Sequence, residues 1–219
     1  MTKALEIIGL SFAYDKNLVL DGLSMSVDEG DFLAIIGENG AGKSTLLNII
    51  LGNLPDFEGE ILVFGDSIRK DDHFRDIAYV SQDAVSKYKN FPTTIEEVIR
   101  VHLSYLKSKK DPRELLERVG LLDHRKKSLA SLSGGQLQRL GLCLALIKDS
   151  KLIFLDEPTT GIDEKFAEDF YRFLSNFKKE GKTIVMVTHQ LDLAASYVDY
   201  AIRISKKSAQ VLKREEMAL

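Results

Sequence analysis

The sequence lacks the features that mark membrane-spanning, disulfide-bonded or nucleic-acid-binding proteins. No stretch approaches the roughly 18 uninterrupted apolar residues of a membrane-spanning helix. The one cysteine, Cys143, lies in the apolar run LGLCLALI, so no internal disulfide can form, and we expect it to pack in a core in a reducing compartment. The 30 Lys and Arg nearly balance the 33 Asp and Glu, and a net charge of −3 gives no reason to expect nucleic acid as a partner.

Targeting segments and metal clusters are also missing. The start of the chain, MTKALEIIGL, lacks the basic segment and long apolar stretch of a secretion signal. His73, His102 and His124 stand in polar stretches without ligand spacing, so they predict no metal site. We therefore expect a cytoplasmic protein of ordinary globular composition, for which another chain would provide any attachment to a membrane.

The order of strand-like and helix-like segments predicts an α/β fold. ALEIIGLSFAY and LSMSVDEG alternate with a period of two and end in turn residues, which is typical of short β-strands at the start of the chain. DFLAIIG, KLIFLDE and TIVMVTH are continuous apolar runs, as in strands buried on both faces. Helix-length segments follow the first two of these runs, and strand–helix–strand alternation predicts a mostly parallel sheet.

A helical subdomain interrupts this pattern between about residues 84 and 150. TIEEVIRVHLSYLKS has capping-box spacing at Thr94 and Glu97, and DPRELLERVG carries Pro112 where a first helical turn begins. We interpret residues 1–219 as one domain, with a core and antiparallel part formed by 1–83 and 151–219. The segment after Ser205 is weakly patterned, and the sequence assigns it no function.

The segment GENGAGKST has the pattern of a phosphate-binding loop between a strand and a helix. The glycines allow backbone N–H groups to surround phosphate oxygens, and the helix dipole adds to the attraction. A lysine and a serine at the end of such a loop reach the β- and γ-phosphates and Mg²⁺, respectively. The loop predicts an ATP site formed by Gly37, Glu38, Asn39, Gly40, Ala41, Gly42, Lys43, Ser44 and Thr45.

Two carboxylates end the buried run LIFLDE. Because adjacent strand residues point to opposite sides, we expect Asp156 and Glu157 to have different roles. Asp156 is suited to hold Mg²⁺, directly or through water, and Glu157 to orient and deprotonate the attacking water. Both would be ordinary exposed residues before Pro158 if no phosphate loop were present.

Three further side chains are candidates because of where their segments end. His189 ends TIVMVTH, level with the acidic strand end, where it can contact the γ-phosphate and position Glu157 or the water. Gln82 ends IAYVSQ, where its amide can reach Mg²⁺ or the water and report the nucleotide state to the helical insertion. Tyr14, in FAYDKN, is placed to stack on adenine, although a packing aromatic would have the same pattern.

The stretch LSGGQ combines a hydroxyl, two glycines and an amide at the front of an apolar helix, without an acid–base group. Together with Tyr14, GENGAGKST, Gln82, LIFLDEP, TGID and His189, in this order, it resembles the nucleotide-binding domain of the ATP-binding cassette (ABC) proteins, up to about residue 205. The resemblance implies a P-loop NTPase core with an antiparallel β subdomain at the start of the chain. It also implies that two chains pair head to tail. Each ATP then lies between one phosphate loop and the opposing signature residues Ser133, Gly134, Gly135 and Gln136, with Thr160, Gly161 and Asp163 at the dimer interface.

The resemblance also implies a function, namely an ATPase with ATP and Mg²⁺ as cofactors that drives transport through a separate integral membrane permease. Finer likenesses, such as FPTTIEEVI and DEPTTGID, are similar to the ATPase subunits of zinc and manganese importers, some of which work with a substrate-binding protein. The protein would then lie on the inner face of the cell membrane, with no nucleic acid partner. Two alternatives stay open: a soluble ATPase of cofactor assembly or regulation, and the motor of a small exporter.

Overall fold

The structure is a computed structural model of the 219-residue chain. It describes residues 2–70, 73, 75–81, 92–160, 164–205 and 208–217, with the side chain of Phe166 excepted. Within these ranges, no helix is long and apolar enough to cross a membrane.

The first half of the chain supplies an antiparallel sheet. Its strands are β1 (Lys3–Tyr14), β2 (Asn17–Asp28), β4 (Glu58–Val63) and β5 (Asp66–Ser67), in the order β2-β1-β4-β5. The β1–β2 hairpin turns at Asp15, whose φ of 52° is in the left-handed region. The sheet confirms the strands predicted from period-two alternation and the antiparallel β subdomain that the resemblance implied.

The second sheet has six strands and is parallel except at one edge. Its strands are β3 (Phe32–Ile36), β6 (Ile77–Val80), β7 (Leu152–Asp156), β8 (Thr183–Val187), β9 (Tyr200–Ile204) and β10 (Ala209–Lys213). They are ordered β10-β9-β3-β8-β7-β6, and only the β9–β10 pair is antiparallel. All residues of β3 and β8 are buried, as their continuous apolar runs predicted.

Six α-helices join these strands within the described residues. They are α1 (Lys43–Ile50), α2 (Ile95–Tyr105), α3 (Pro112–Arg118), α4 (Gly134–Lys148), α5 (Glu164–Lys179) and α6 (Leu191–Ala194). The helices α2, α3 and α4 all fall between β6 and β7 in the chain, where an insertion was predicted. The predicted boundary at residue 84 lies outside the described residues.

The second sheet separates two hydrophobic cores. On one face, α1 and the antiparallel sheet pack against side chains such as Ile35, Phe154 and Val187. On the other face, α2, α3, α4 and α5 pack against side chains such as Ala34 and Leu155. The molecule is therefore three-layered, and the carboxyl ends of β3, β6, β7 and β8 share one edge of the middle layer.

Local capping explains where the inserted helices begin. Thr94 accepts a hydrogen bond from the backbone N–H of Glu97, whose side chain accepts one from the N–H of Thr94, so the predicted capping box is confirmed. Asp111 caps α3, and Pro112 occupies its first helical position. These caps fix the starts of α2 and α3 through interactions within one turn of the chain.

Candidate functional site

The phosphate-loop sequence runs from the buried end of β3 into α1. Lys43 donates hydrogen bonds from Nζ to the backbone carbonyls of Gly37, at 2.7 Å, and Glu38, at 3.1 Å, so its ammonium group lies over the loop. Among the described residues, no side chain caps the first turn of α1, and that turn contains no acidic residue. The amides at this helix end are therefore available to an anion, and the helix dipole favours one.

Two glycines are required by the shape of the loop. A Cβ atom at Gly37 would lie 2.5 Å from the backbone oxygen of Ile204, and a backbone atom cannot move aside as a side chain can. Gly42, the N-cap of α1, has a φ of 95°, where other residues are strained. The loop thus packs against the end of β9 on one side and enters the helix through a conformation suited to glycine.

A cleft of about 930 Å³ lies beside the loop. It is lined by Gly37, Glu38, Asn39, Gly40 and Ala41 together with Arg203, Ile204 and Ser205. Arg203 is an exposed residue of β9, between the buried Ile202 and Ile204. This cation was not predicted from the sequence, because a single arginine in a strand belongs to no motif.

Asp156 ends β7 on the same face of the sheet as α1. Its neighbour two positions earlier, Phe154, packs in the core that contains α1, and alternation places Asp156 on that face. Tyr79 of β6 donates a hydrogen bond from its hydroxyl to Oδ2 of Asp156, at 3.0 Å. Burial raises the pKa of the Asp156 carboxyl above its usual range, although the hydrogen bond from Tyr79 opposes this rise.

Glu157 and His189 meet at the ends of two neighbouring strands. Oε2 of Glu157 lies 2.6 Å from Nδ1 of His189 and accepts a hydrogen bond of 3.1 Å from the hydroxyl of Thr160. Glu157 lies beyond the end of β7 with a φ of 50°, so a left-handed turn rather than strand alternation sets its direction. The carboxylate is therefore held by two partners, with the exposed His189 on one side.

A second set of contacts joins the loops that carry Glu157 and His189. The hydroxyl of Thr159 donates to Oε1 of Gln190, at 3.0 Å, and lies 3.3 Å from the hydroxyl of Tyr171 in α5. The backbone N–H of Gln190 donates to the hydroxyl of Thr188, at 3.0 Å. Thr159, Tyr171 and Thr188 are all buried, so this network fixes the two loops relative to each other. Neither Thr159 nor Tyr171 was a candidate from the sequence.

The signature residues form the capped start of α4. Ser133 is the N-cap, and its hydroxyl accepts a hydrogen bond from the N–H of Gln136, whose side chain accepts one from the N–H of Ser133. Ser133 and Gly134 are exposed, whereas Gly135 is buried. The predicted helix start is confirmed, and the capping box holds its hydroxyl and amides in one orientation at the surface.

Tyr14 ends β1 at the tip of the β1–β2 hairpin, where 47% of the residue is exposed. Its ring packs edge-on against Phe12, with 4.9 Å between ring centroids. Leu20, in the second strand of this hairpin, lies next to the phosphate loop, because a Cβ atom at Gly42 would be 2.7 Å from its side chain. The hairpin therefore brings an exposed ring to the neighbourhood of the loop.

Gln82, Gly161 and Asp163 lie outside the described residues. The structure brings together the phosphate loop, Asp156, Glu157 and His189 at one edge of the parallel sheet, whereas Ser133 stands at the start of α4 in the inserted helical region.

Comparison with known proteins places this geometry in a family. The sequence model described as "ABC transporter" matches residues 20–160. The zinc uptake system ATP-binding protein ZurA of Listeria monocytogenes is 36% identical over 220 residues, which cover 94% of this chain and 84% of that protein. The manganese transport system ATP-binding protein MntB of Bacillus subtilis is 36% identical over 206 residues, with 90% and 81% covered.

Solved structures share the whole fold. The ADP conformation of an ATP-binding cassette of an ABC transporter matches with a TM-score of 0.86 at 26% identity, covering 99% of this chain and 94% of that one. CbiO1 of Clostridium perfringens, part of the ABC transporter complex CbiONQ, also matches with a TM-score of 0.86, at 27% identity, covering 99% and 90%. The phosphate loop, the capped signature helix and these matches along nearly the full chain agree, and the chain belongs to the ABC transporter family as a nucleotide-binding ATPase.

Proposed function

We propose that the chain is the ATP-hydrolysing subunit of a transporter that imports a divalent metal ion, zinc or manganese, through a separate membrane permease. The observation that carries this proposal is the 36% identity to zinc and manganese transport ATP-binding proteins over nine-tenths or more of the chain. The subunit would lie on the inner face of the membrane and work with a substrate-binding protein. The transported ion is cargo for the other chains of the system.

The oxygen ligands available beside the phosphate loop suit a Mg²⁺ ion that binds together with ATP. Mg²⁺ keeps several waters and takes one or two protein ligands together with substrate phosphates. Asp156 offers Oδ1, which accepts no hydrogen bond from the described residues, and Ser44 is an exposed residue in the first turn of α1. No group of three or more His, Cys, Asp or Glu side chains within the described ranges forms a dedicated metal cage. Bound Mg²⁺ would neutralise phosphate charge, with Gln82 as a further ligand.

Hydrolysis would depend on Glu157. Its carboxylate takes a proton from the attacking water as the water oxygen bonds to the γ-phosphorus and the bond to the ADP oxygen breaks, which yields ADP and phosphate. The contacts with His189 and Thr160 support this role, because they hold the carboxylate in one orientation. Lys43 and the loop amides would stabilise the charge on the transferred group.

The signature helix would complete the site of a second copy. Ser133 and Gly134 are exposed donors at a helix N-terminus, so they suit an anion presented by another molecule. In the proposed head-to-tail dimer, Ser133 to Gln136 contact the partner's ATP, and residues 160–163 line the interface. Tyr14 would stack on adenine, and the helical subdomain of residues 84–150, starting after Gln82, would pass the movement to the permease.

The proposal can be tested in cells that lack the gene. We expect membrane fractions to hold the protein in a complex with an integral membrane permease, and we expect deletion to lower uptake of radiolabelled zinc or manganese. Expression of wild type should restore uptake, and Lys43→Ala should not. A complex that is soluble throughout, with unchanged metal uptake, would instead point to cofactor assembly or regulation. Raised metal retention after deletion would indicate an exporter.

A further inference from the structure

The strand next to the acidic strand end carries a tyrosine that the proposed mechanism has not used. In the parallel pair β6–β7, Tyr79 stands opposite Phe154, so its side chain is on the same face of the sheet as Phe154 and Asp156. Its neighbours Ala78 and Val80 are buried in the other core, whereas 38% of Tyr79 is exposed. An aromatic residue at the open edge of a sheet is thus turned towards a carboxylate rather than into a core.

The contact is specific to one carboxylate oxygen. The phenol donates to Oδ2 of Asp156 at 3.0 Å, while Oδ1 accepts no hydrogen bond from the described residues. A carboxylate held through one oxygen cannot rotate freely, and the other oxygen keeps a fixed direction. Side chains that hold a metal-binding group in this way raise the affinity for the metal, and their loss commonly lowers it by about 10–100-fold.

We infer that Tyr79 is a positioning residue for Mg²⁺: it holds the carboxylate of Asp156 so that one oxygen faces the cation that accompanies ATP. This inference rests on the proposed role of Asp156. The strands explain the precision of the arrangement, because β6 and β7 are paired in fixed register along Ile77–Leu152 to Val80–Leu155. Tyr79 makes no contact with the reacting atoms in this scheme and acts only through Asp156.

The test measures Mg²⁺ dependence separately from catalysis. Purified full-length wild type and Tyr79→Phe are titrated with a fluorescent ATP analogue in EDTA, and then with MgCl₂ at fixed nucleotide. We expect Tyr79→Phe to bind nucleotide in EDTA within about twofold of wild type, and to need about tenfold more Mg²⁺ for half-maximal tightening of nucleotide binding. Tyr105→Phe removes a phenol hydroxyl from a side chain that is 74% exposed on α2 and should match wild type.

The variant Asp156→Asn and the double variant Tyr79→Phe, Asp156→Asn test whether Tyr79 affects the Mg²⁺ response through Asp156. If Tyr79 acts through Asp156, Asp156→Asn alone should weaken the Mg²⁺ response, and adding Tyr79→Phe should change it little further, because the two effects are not additive. An Mg²⁺ titration for Tyr79→Phe within twofold of wild type, with Asp156→Asn impaired, overturns the inference and leaves the role of Asp156 intact. An unimpaired Asp156→Asn overturns both. Equal additive losses overturn the inference, because Tyr79 would then act elsewhere.

Discussion

Glu157 shows how the site depends on the conformation of one residue. Its φ of 50° is uncommon for a residue with a side chain and costs on the order of 1 kcal/mol or more, which surrounding contacts must offset. The contacts with His189 and Thr160 and the hydrogen bond from its N–H to the carbonyl of Val187, at 2.9 Å, do so. Because of this turn, the backbone at Glu157 no longer follows the direction of β7, so the side chains of Glu157 and Asp156 are oriented independently.

Replacing the Glu157 carboxylate should lower ATP turnover while leaving nucleotide binding largely unchanged. Glu157→Gln keeps the size and most hydrogen bonds of the side chain but cannot accept a proton. We expect nucleotide binding within about threefold of wild type and ATP turnover lowered by about 100-fold or more, because a positioned catalytic group commonly contributes that much. Phosphate release measured under saturating Mg²⁺ and ATP checks this, and Glu164→Gln, in α5, provides an exposed control. Turnover that stays near the wild-type rate would remove Glu157 from the proposed mechanism.

Asp156 should cost the protein stability when it is ionised. Burial raises its pKa in the folded state, so the folded protein favours the protonated form more than the unfolded chain does. The cost is therefore fully present above the folded-state pKa and disappears as the pH falls from there to below the lower pKa of the unfolded chain. Without nucleotide or Mg²⁺, Asp156→Asn should therefore melt at a higher temperature than wild type at pH 8.

The pH dependence of this difference in melting temperature tests whether ionisation of Asp156 is its cause. The advantage of Asp156→Asn should shrink as the pH is lowered, since the wild-type carboxyl then becomes neutral as well. Scanning calorimetry or thermal fluorescence at a series of pH values measures it, with Asp56→Asn at an exposed loop position as the control. An advantage that grows towards acidic pH has the opposite sign and contradicts the assigned cause.

The candidate side chains that follow strands could be predicted from the sequence, but the residues that contact them could not. Asp156, Glu157 and His189 each end an apolar run, so a parallel sheet had to bring them to one edge. Tyr79 and Thr159 gave no such signal, because a tyrosine within a strand and a threonine within a turn are common in any fold. Their role depends on distances between elements far apart in the chain, which only the packed structure defines.

At the scale of elements, two helices begin with the same device, and this offers a matched comparison. Thr94 with Glu97 caps α2, and Ser133 with Gln136 caps α4. Thr94→Ala and Ser133→Ala should each lower the free energy of unfolding by about 1 kcal/mol, which is typical of a lost N-cap. Urea unfolding of both variants measures this loss.

Only one of these caps should matter for hydrolysis. Ser133 is proposed to donate to the partner's ATP, and a hydrogen bond to a charged group contributes about 1.5–3 kcal/mol. Ser133→Ala should therefore lower ATP turnover about tenfold or more, whereas the equally destabilised Thr94→Ala should keep most of it. Equal turnover in the two variants would reduce the signature serine to a structural cap.

The strand β10 shows why one element was not predicted. Only Leu212 among its five residues is buried, and Val211 is 57% exposed. The segment AQVLK therefore has neither the alternation of apolar and polar residues nor the long apolar run from which a strand is predicted. The strand exists because its backbone pairs with β9 along the whole length from Ala209–Ile204 to Lys213–Tyr200. Strands buried on both faces, such as β3 and β8, had the opposite character and were predicted from their apolar runs.

At the scale of the whole molecule, the proposed head-to-tail dimer predicts the ATP turnover of a mixture of two inactive variants. Lys43→Ala impairs the phosphate loop, and Ser133→Arg blocks the signature end of α4. Neither variant alone can form a complete head-to-tail site. Mixing them gives heterodimers with one site made of an intact loop and an intact signature, so turnover should return to roughly a quarter of wild type if subunits exchange at random and sites act independently.

Controls distinguish this rescue from residual activity. Lys43→Ala mixed with the double variant Lys43→Ala, Ser133→Arg contains no intact loop and should stay inactive. Size-exclusion chromatography with ATP and Glu157→Gln should show the dimer directly. Full turnover by a monomer, without recovery in the mixture, would rule out the head-to-tail site.

The pairing of β9 with β10 has a practical consequence. The end of β9 supports the phosphate loop at Gly37, and β10 then runs back antiparallel, so Lys213 lies beside Tyr200 at the far margin of the sheet. A fluorescent label or surface tether attached to the exposed side chain of Lys213 would therefore leave the protein on the side away from the proposed ATP site. Immobilised this way, the molecule presents its nucleotide side to solution for single-molecule or biosensor measurements.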